Sequence, residues 1–125
     1  PPPGRVMASL SRDNGETWSA ARDTDIPNPG SSLEVIVLRD GRWLIVHNDS
    51  TQSRDSLTVA ISEDEGKTWP LKRRLEPQSD GATSFSYPSV IQSADGAVHI
   101  TYTCKGPRGG RIRHGILQPG QLKTD

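Results

Sequence analysis

The apolar residues of this chain come in short runs, broken by polar stretches rich in Gly, Pro, Asp and Ser. "VIVL" at 35–38 and "WLIV" at 43–46 are apolar at every position, while "LTVAIS", "AVHITYT" and "RIRHGIL" mix apolar and β-branched residues with polar ones. No window carries a helical period, and short runs bounded by turn residues read as strands. The pattern predicts strands over Arg5–Ser11, Ser19–Thr24, Leu33–Leu38, Arg42–His47, Leu57–Ser62, Leu71–Glu76, Ser89–Ser93, Ala97–Thr103 and Arg111–Leu117. The wholly apolar runs are expected to be covered on both faces of their sheet. Asp40-Gly41 and Asp95-Gly96 each lie between a pair of β-rich runs, a hairpin signal, because Gly accepts the positive φ of a tight turn.

The strands repeat as a set. "SRDNGETW" begins at Ser11 and "SEDEGKTW" at Ser62, fifty-one residues later, and the two Asp-Gly pairs are fifty-five residues apart. Four strands in a unit of about fifty residues is the arithmetic of a β-propeller blade. With strands a to d numbered from the centre outward, the chain supplies strands c and d of one blade (5–26). A complete blade follows (33–76), then strands a to c of a third (87–117). The expected fold is therefore all-β, a partial propeller of about two and a half antiparallel blades. Such a piece needs either the remaining blades of a longer chain or further copies of itself to close a ring, and the missing last strand d favours the longer chain. Within each box, Ser11, Asp13, Gly15 and Trp18, or Ser62, Asp64, Gly66 and Trp69, read as a turn plug. The carboxylate accepts backbone N–H groups across the turn and the Gly takes the left-handed position. The Trp is expected to lie as a lid, with its N–H near the surface.

Composition narrows the function classes. Fifteen basic and fifteen acidic residues give no net charge, so nothing electrostatic points to nucleic acid or an anionic membrane, and neither is expected as a partner. Hydrophobic residues are 31%, mean hydropathy is −0.64, and twelve Gly and ten Pro fit many turns. No apolar run approaches the roughly eighteen residues of a membrane helix, and "PPPGRVMASL" has no secretory apolar core. Cys104 is the single cysteine, so no intrachain disulfide and no cysteine-based metal site is expected. No cofactor is expected either, and the compartment stays open.

The two boxes resemble the Asp-boxes of the sialidase superfamily, the BNR repeats. The stretch "NPGSSLEVIVLRDGRWLIVHNDS" through "LTVAISEDEGKTW", then "FSYPSVIQSADGAVHITYT" and "RIRHGIL", is similar to the C-terminal half of the predicted-neuraminidase, glycosyl-hydrolase-like group. The resemblance covers nearly the whole chain. It implies a propeller of about six blades and carbohydrate as the ligand class. It also implies that the boxes join strands c and d on the rim away from the active-site mouth. Ligand would then meet the loops Ile26–Ser32, Asn48–Ser56, Pro77–Ser86 and Lys105–Gly110.

The resemblance supplies the candidate residues. Glu34 matches the glutamate that partners a tyrosine nucleophile, and a carboxylate within an apolar inner strand is costly unless solvated or paired. Tyr87 would supply that nucleophile; its bland reading is a Tyr packed beside Pro88, which favours an extended conformation before it. Arg54, Arg108, Arg111 and Arg113 are candidates for holding a sugar carboxylate, since a guanidinium matches it fork to fork. The family's arginine after the second strand is missing here, where His47, Asn48 and Asp49 stand. Asn48 and Asp49 can bond sugar hydroxyls, and His47 and His114 can act as acid–base groups. The resemblance places the family's proton-donating Asp in an early blade, beyond this chain. The isolated chain is therefore expected to be inactive. Two alternatives stay open: a polysaccharide lyase of related fold, and a non-catalytic carbohydrate-binding or assembling module.

Overall fold

The structure is a computed structural model that describes residues 4–122. Nine strands form three antiparallel sheets among the described residues. β1 (Arg5–Ala8) and β2 (Arg22–Pro27) make a two-stranded sheet. β3 (Glu34–Val37), β4 (Trp43–His47), β5 (Leu57–Ser62) and β6 (Leu71–Glu76) make a four-stranded sheet in chain order. β7 (Ser84–Gln92), β8 (Val98–Gly106) and β9 (Gly109–Leu117) make a three-stranded sheet. A 3₁₀ turn at Pro119–Gln121 follows. This is an all-β fold of partial-propeller type, with two, four and three strands in successive blades.

Several expected strands shift at their ends. The first pair starts at Arg5 but ends at Ala8, and its partner begins at Arg22 rather than Ser19. Residues next to the first box leave the ladder because Ser9 and Ser19 bond across the turn: Ser9 Oγ donates to Ser19 O at 2.6 Å, and Leu10 N donates to Ser19 Oγ at 2.9 Å. β7 starts at Ser84, three residues before the expected start of the last blade.

The core lies between the second and third sheets. Leu44, Val46, Leu57, Val59 and Ile61 pack against Phe85, Val90, Val98, Ile100, Tyr102 and Leu117. Burying residues of this kind is the main driving force of the fold, at about 25 cal/mol per Å² of apolar surface. β4 is buried on both faces apart from half-buried Trp43, as its wholly apolar run requires, and β5 is buried on both faces with Thr58 and Ser62 inside. β3 is not: Val35 and Val37 point to solvent while Ile36 joins the core.

Strand direction sorts the ends of the sheets. Both boxes and both Asp-Gly turns lie at one end, here called the rim, because each joins a strand running toward that end to one returning. There Arg39 ties adjacent blades, donating from Nη1 to Ala94 O and from Nη2 to Ser93 O, each at 2.8 Å. The loops at 28–33, 48–56, 77–83 and 107–108 lie at the other end.

Candidate functional site

The loop end is knitted from three connections. Asn48 Nδ2 donates to Ser56 O at 2.8 Å and to Phe85 O at 3.0 Å, and its Oδ1 accepts from Ser31 Oγ at 2.6 Å. Phe85 N donates to Arg54 O at 2.7 Å, and Ser79 N donates to Asp55 O at 2.8 Å. Arg54 also reaches the first loop, donating from Nη2 to Gly30 O at 3.1 Å. Three loops from three blades thus converge around Arg54 and Phe85.

Tyr87 stands at this end in a conformation the sequence did not foretell. Ser86 pairs with Thr103 and Ser89 with Thr101, so β7 carries one more residue than β8 between the two pairs. That is a β-bulge, and Tyr87 within it has φ +52. The extended conformation expected before Pro88 does not occur, because the bulge turns the strand through the left-handed region. For a residue with a Cβ that costs about 1–3 kcal/mol, and such strain persists only where the surroundings over-determine it. The side chain is 69% exposed.

Glu34 lies half-buried on the innermost strand of the neighbouring sheet. Its Oε2 accepts from Val90 N at 2.6 Å. Among the described residues β7 has no strand on that side, so Val90 N–H is an edge donor that a carboxylate can satisfy. The solvated channel carboxylate and the phenol partner were the two expectations; the bond actually made is to the backbone beyond the bulge.

The other candidates separate. Asn48 is 0% exposed and its polar atoms bond inside the protein, so it faces the fold and not a sugar. His47 is 1% exposed, and its Nδ1 has no partner among the described residues. Burial pushes its pKa below the usual histidine value, partly offset by Asp49. That is a buried strand histidine, without access to a ligand. Asp49 is half-buried and 3.6 Å from Lys72 Nζ. Arg108 and Arg111 are exposed in the β8–β9 hairpin and make no side-chain hydrogen bond among the described residues. The fourth arginine, Arg113, is bound to Glu76 Oε1 at 2.5 Å. His114 lies on the outer face of the third sheet, level with Thr101 and Ser89 across the strands.

Each box folds in the same way. Ser11 Oγ donates to Asp13 Oδ1 at 2.8 Å, and Thr17 N and Oγ1 donate to the same carboxylate at 2.9 and 2.5 Å. Ser62, Asp64 and Thr68 repeat those bonds at 2.7, 2.8 and 2.5 Å. Bonds to the Thr, above all its hydroxyl, hold both Asp pKa values at about 2. Such carboxyls stay ionised and occupied, and their geometry serves the turn. Two consecutive residues are left-handed, Asn14 with Gly15 and Glu65 with Gly66, where the sequence had implicated only the Gly. The tryptophans differ. Trp18 is 64% exposed and donates from Nε1 to Gly15 O at 3.0 Å. Trp69 packs against Gly66, and its Nε1 is buried without a partner among the described residues, not near the surface as expected.

Two side-chain clusters escaped the sequence. Tyr102 Oη donates to Glu76 Oε1 at 2.7 Å beside Arg113, which joins the second and third sheets. Burial, with Glu76, pushes that phenol well above the usual tyrosine range. On the outer face of the third sheet, His99 Nδ1 and His114 Nε2 lie 3.0 Å apart, and His99 Nε2 is 3.1 Å from Ser93 Oγ, which donates to Asp95. The ring centroids are 5.2 Å apart with planes within 14°. The nitrogen gap is shorter than the centroid gap by about two ring radii, so the rings meet edge to edge in a hydrogen bond. They flank an open cavity of about 700 Å³ lined also by Ser89, Ile91 and Thr101. Only the pairing of β8 with β9 brings His99 and His114 together, which no spacing in the sequence announces.

Among the described residues no group of three or more His, Cys, Asp or Glu can hold a metal. No helix there is long and apolar enough to cross a membrane.

Antiparallel blades, Asp-box turns at one end and a knitted loop cluster at the other define a BNR-repeat propeller segment. The family model described as BNR repeat-like domain matches residues 3–100, and the chain belongs to that family. It is similar to a sialidase from Micromonospora viridifaciens, 27% identical over 109 residues covering 79% of this chain. The match spans 16% of that relative's length.

Proposed function

We propose that this chain is part of the propeller of a sialidase-like glycoside hydrolase acting on glycans that carry an anionic sugar. The observation that carries the reading is Tyr87: an exposed phenol, left-handed on a bulge, at the loop end and not among the boxes. In this reading Tyr87 Oη attacks the anomeric carbon and its proton passes to a base. The C–O bond to the aglycone breaks and that oxygen takes a proton from an acid outside this chain. Water then attacks the same carbon and releases Tyr87. Arg54, half-buried where the loops converge, is the arginine best placed for a sugar carboxylate. The similarity to a sialidase supports the anionic sugar.

The remaining blades complete the site and the ring. Ile91, Ile112 and Ile116 leave the outer face of the third sheet exposed, whereas the core-facing side of the second sheet is covered by the third. The test is turnover of a 4-methylumbelliferyl sialoside. A longer chain carrying the other blades is expected to cleave it, and the 125-residue chain is not. An intact, folded longer protein that cleaves neither sialosides nor uronic-acid or rhamnose-containing glycans overturns the proposal. A product with new ultraviolet absorbance replaces it with a lyase.

A further inference from the structure

The ladder between β7 and β8 breaks at Tyr87 and Pro88, yet both flanks of the break are fastened to the preceding blade. Upstream, Phe85 is held twice: its N–H by Arg54 O at 2.7 Å and its C=O by Asn48 Nδ2 at 3.0 Å. Downstream, Val90 N–H is held by Glu34 Oε2 at 2.6 Å. Without these ties the bulge can relax. Pro88 favours an extended residue before it, and the left-handed region is disfavoured for any residue with a Cβ.

The anchors differ from ordinary packing in one respect. Asn48 and Glu34 reach from the second sheet to backbone atoms of the third, on either side of one strained residue. Asn48 is buried and also tied to Ser56 and Ser31, so it cannot follow Phe85 if the bulge moves. Glu34 sits on a strand paired in register with β4, Glu34 opposite Val46, so it is equally fixed.

We infer that Glu34 and Asn48 are positioning residues for Tyr87. They hold the two arms of the bulge and thereby keep the phenol left-handed and turned out at the loop end. Glu34 acts through the Val90 backbone, not as a partner of the phenol. The inference rests on the glycan reading only for its purpose, since the geometry it describes is tested without ligand.

The chain has two tyrosines, so 3-fluorotyrosine labelling gives two fluorine resonances, and Tyr87→Phe assigns them. Buried Tyr102 reports the fold of the third sheet. Glu34→Gln keeps a carbonyl acceptor for Val90 N–H, and both lines are expected to stay in place. Glu34→Ala removes it: the Tyr87 line moves by more than its width or splits, while the Tyr102 line stays. Asn48→Ala is expected to do the same from the other arm. If it unfolds, with both lines collapsing, the Glu34 pair decides. A Tyr87 line unmoved in folded Glu34→Ala overturns the inference, as does one that moves equally in Glu34→Gln. Titration with sialyllactose, in the longer protein, tests the other reading separately. A shifted line without any sialoside binding leaves the positioning role standing and removes the sialoside.

Discussion

Gly66→Ala tests how the second box is built. Gly66 has φ +83, and a Cβ there meets Trp43 Cε3 and Cζ3 at 3.0 Å, with Trp69 Cζ2 at 3.6 Å beyond. The new methyl group would touch both indoles, and the Trp43 ring, carried by β4, would have to give by a few tenths of an ångström. Forcing a non-glycine residue left-handed costs about 1–2 kcal/mol, and overpacking a close contact adds about 1–3 kcal/mol. The sum for Gly66→Ala is about 2–5 kcal/mol. Gly41 supplies the control, with φ +90 and nothing within 4 Å of a Cβ, so Gly41→Ala carries only the backbone cost of about 1–2 kcal/mol. Urea unfolding followed by tryptophan fluorescence and far-ultraviolet circular dichroism gives both values. Equal losses for the two variants would refute the clash. So would a Gly66→Ala loss that Trp43→Leu does not reduce.

Three further outcomes follow from the same contacts. His47 is buried with its pKa pushed below the ordinary value of 6.5, so it favours the folded state fully above pH 6.5 and progressively less as pH falls below it. Urea midpoints at pH 8 and pH 5 should therefore differ more for the native chain than for His47→Gln, and an equal difference refutes the assignment. Asp64 is held at a pKa of about 2 against an ordinary 3.8, so its contribution is present above pH 3.8 and lost as pH falls from there toward 2. Asp64→Asn should unfold with less pH dependence in that window, and an unchanged acid profile counts against the network. Glu65 is left-handed where the first box has Asn14, so Glu65→Asn should stabilise the protein by roughly 0.5–1 kcal/mol, and a lower urea midpoint would reject the strain at Glu65.

The chain alone determined the periodic features. The apolar-rich runs marked where β3, β4 and β5 lie, the Asp-Gly pairs marked two hairpins, and the duplicated box marked the blade period, because each depends on neighbours within a few residues. Which loops share an end of the sheets was implied by the Asp-box resemblance, and the strand order puts the boxes at one end and those loops at the other. What the chain could not disclose was decided between sheets. A bulge depends on the register of β7 against β8, so Tyr87 read as extended and is left-handed. Asn48 read as a sugar ligand, yet its atoms answer Ser31, Ser56 and Phe85, residues that meet only when three loops converge. His99 and His114 are fifteen residues apart and bond only across a strand pair. Local chemistry was legible because its partners are written beside it; the site was not, because its hydrogen bonds run from one blade to the next.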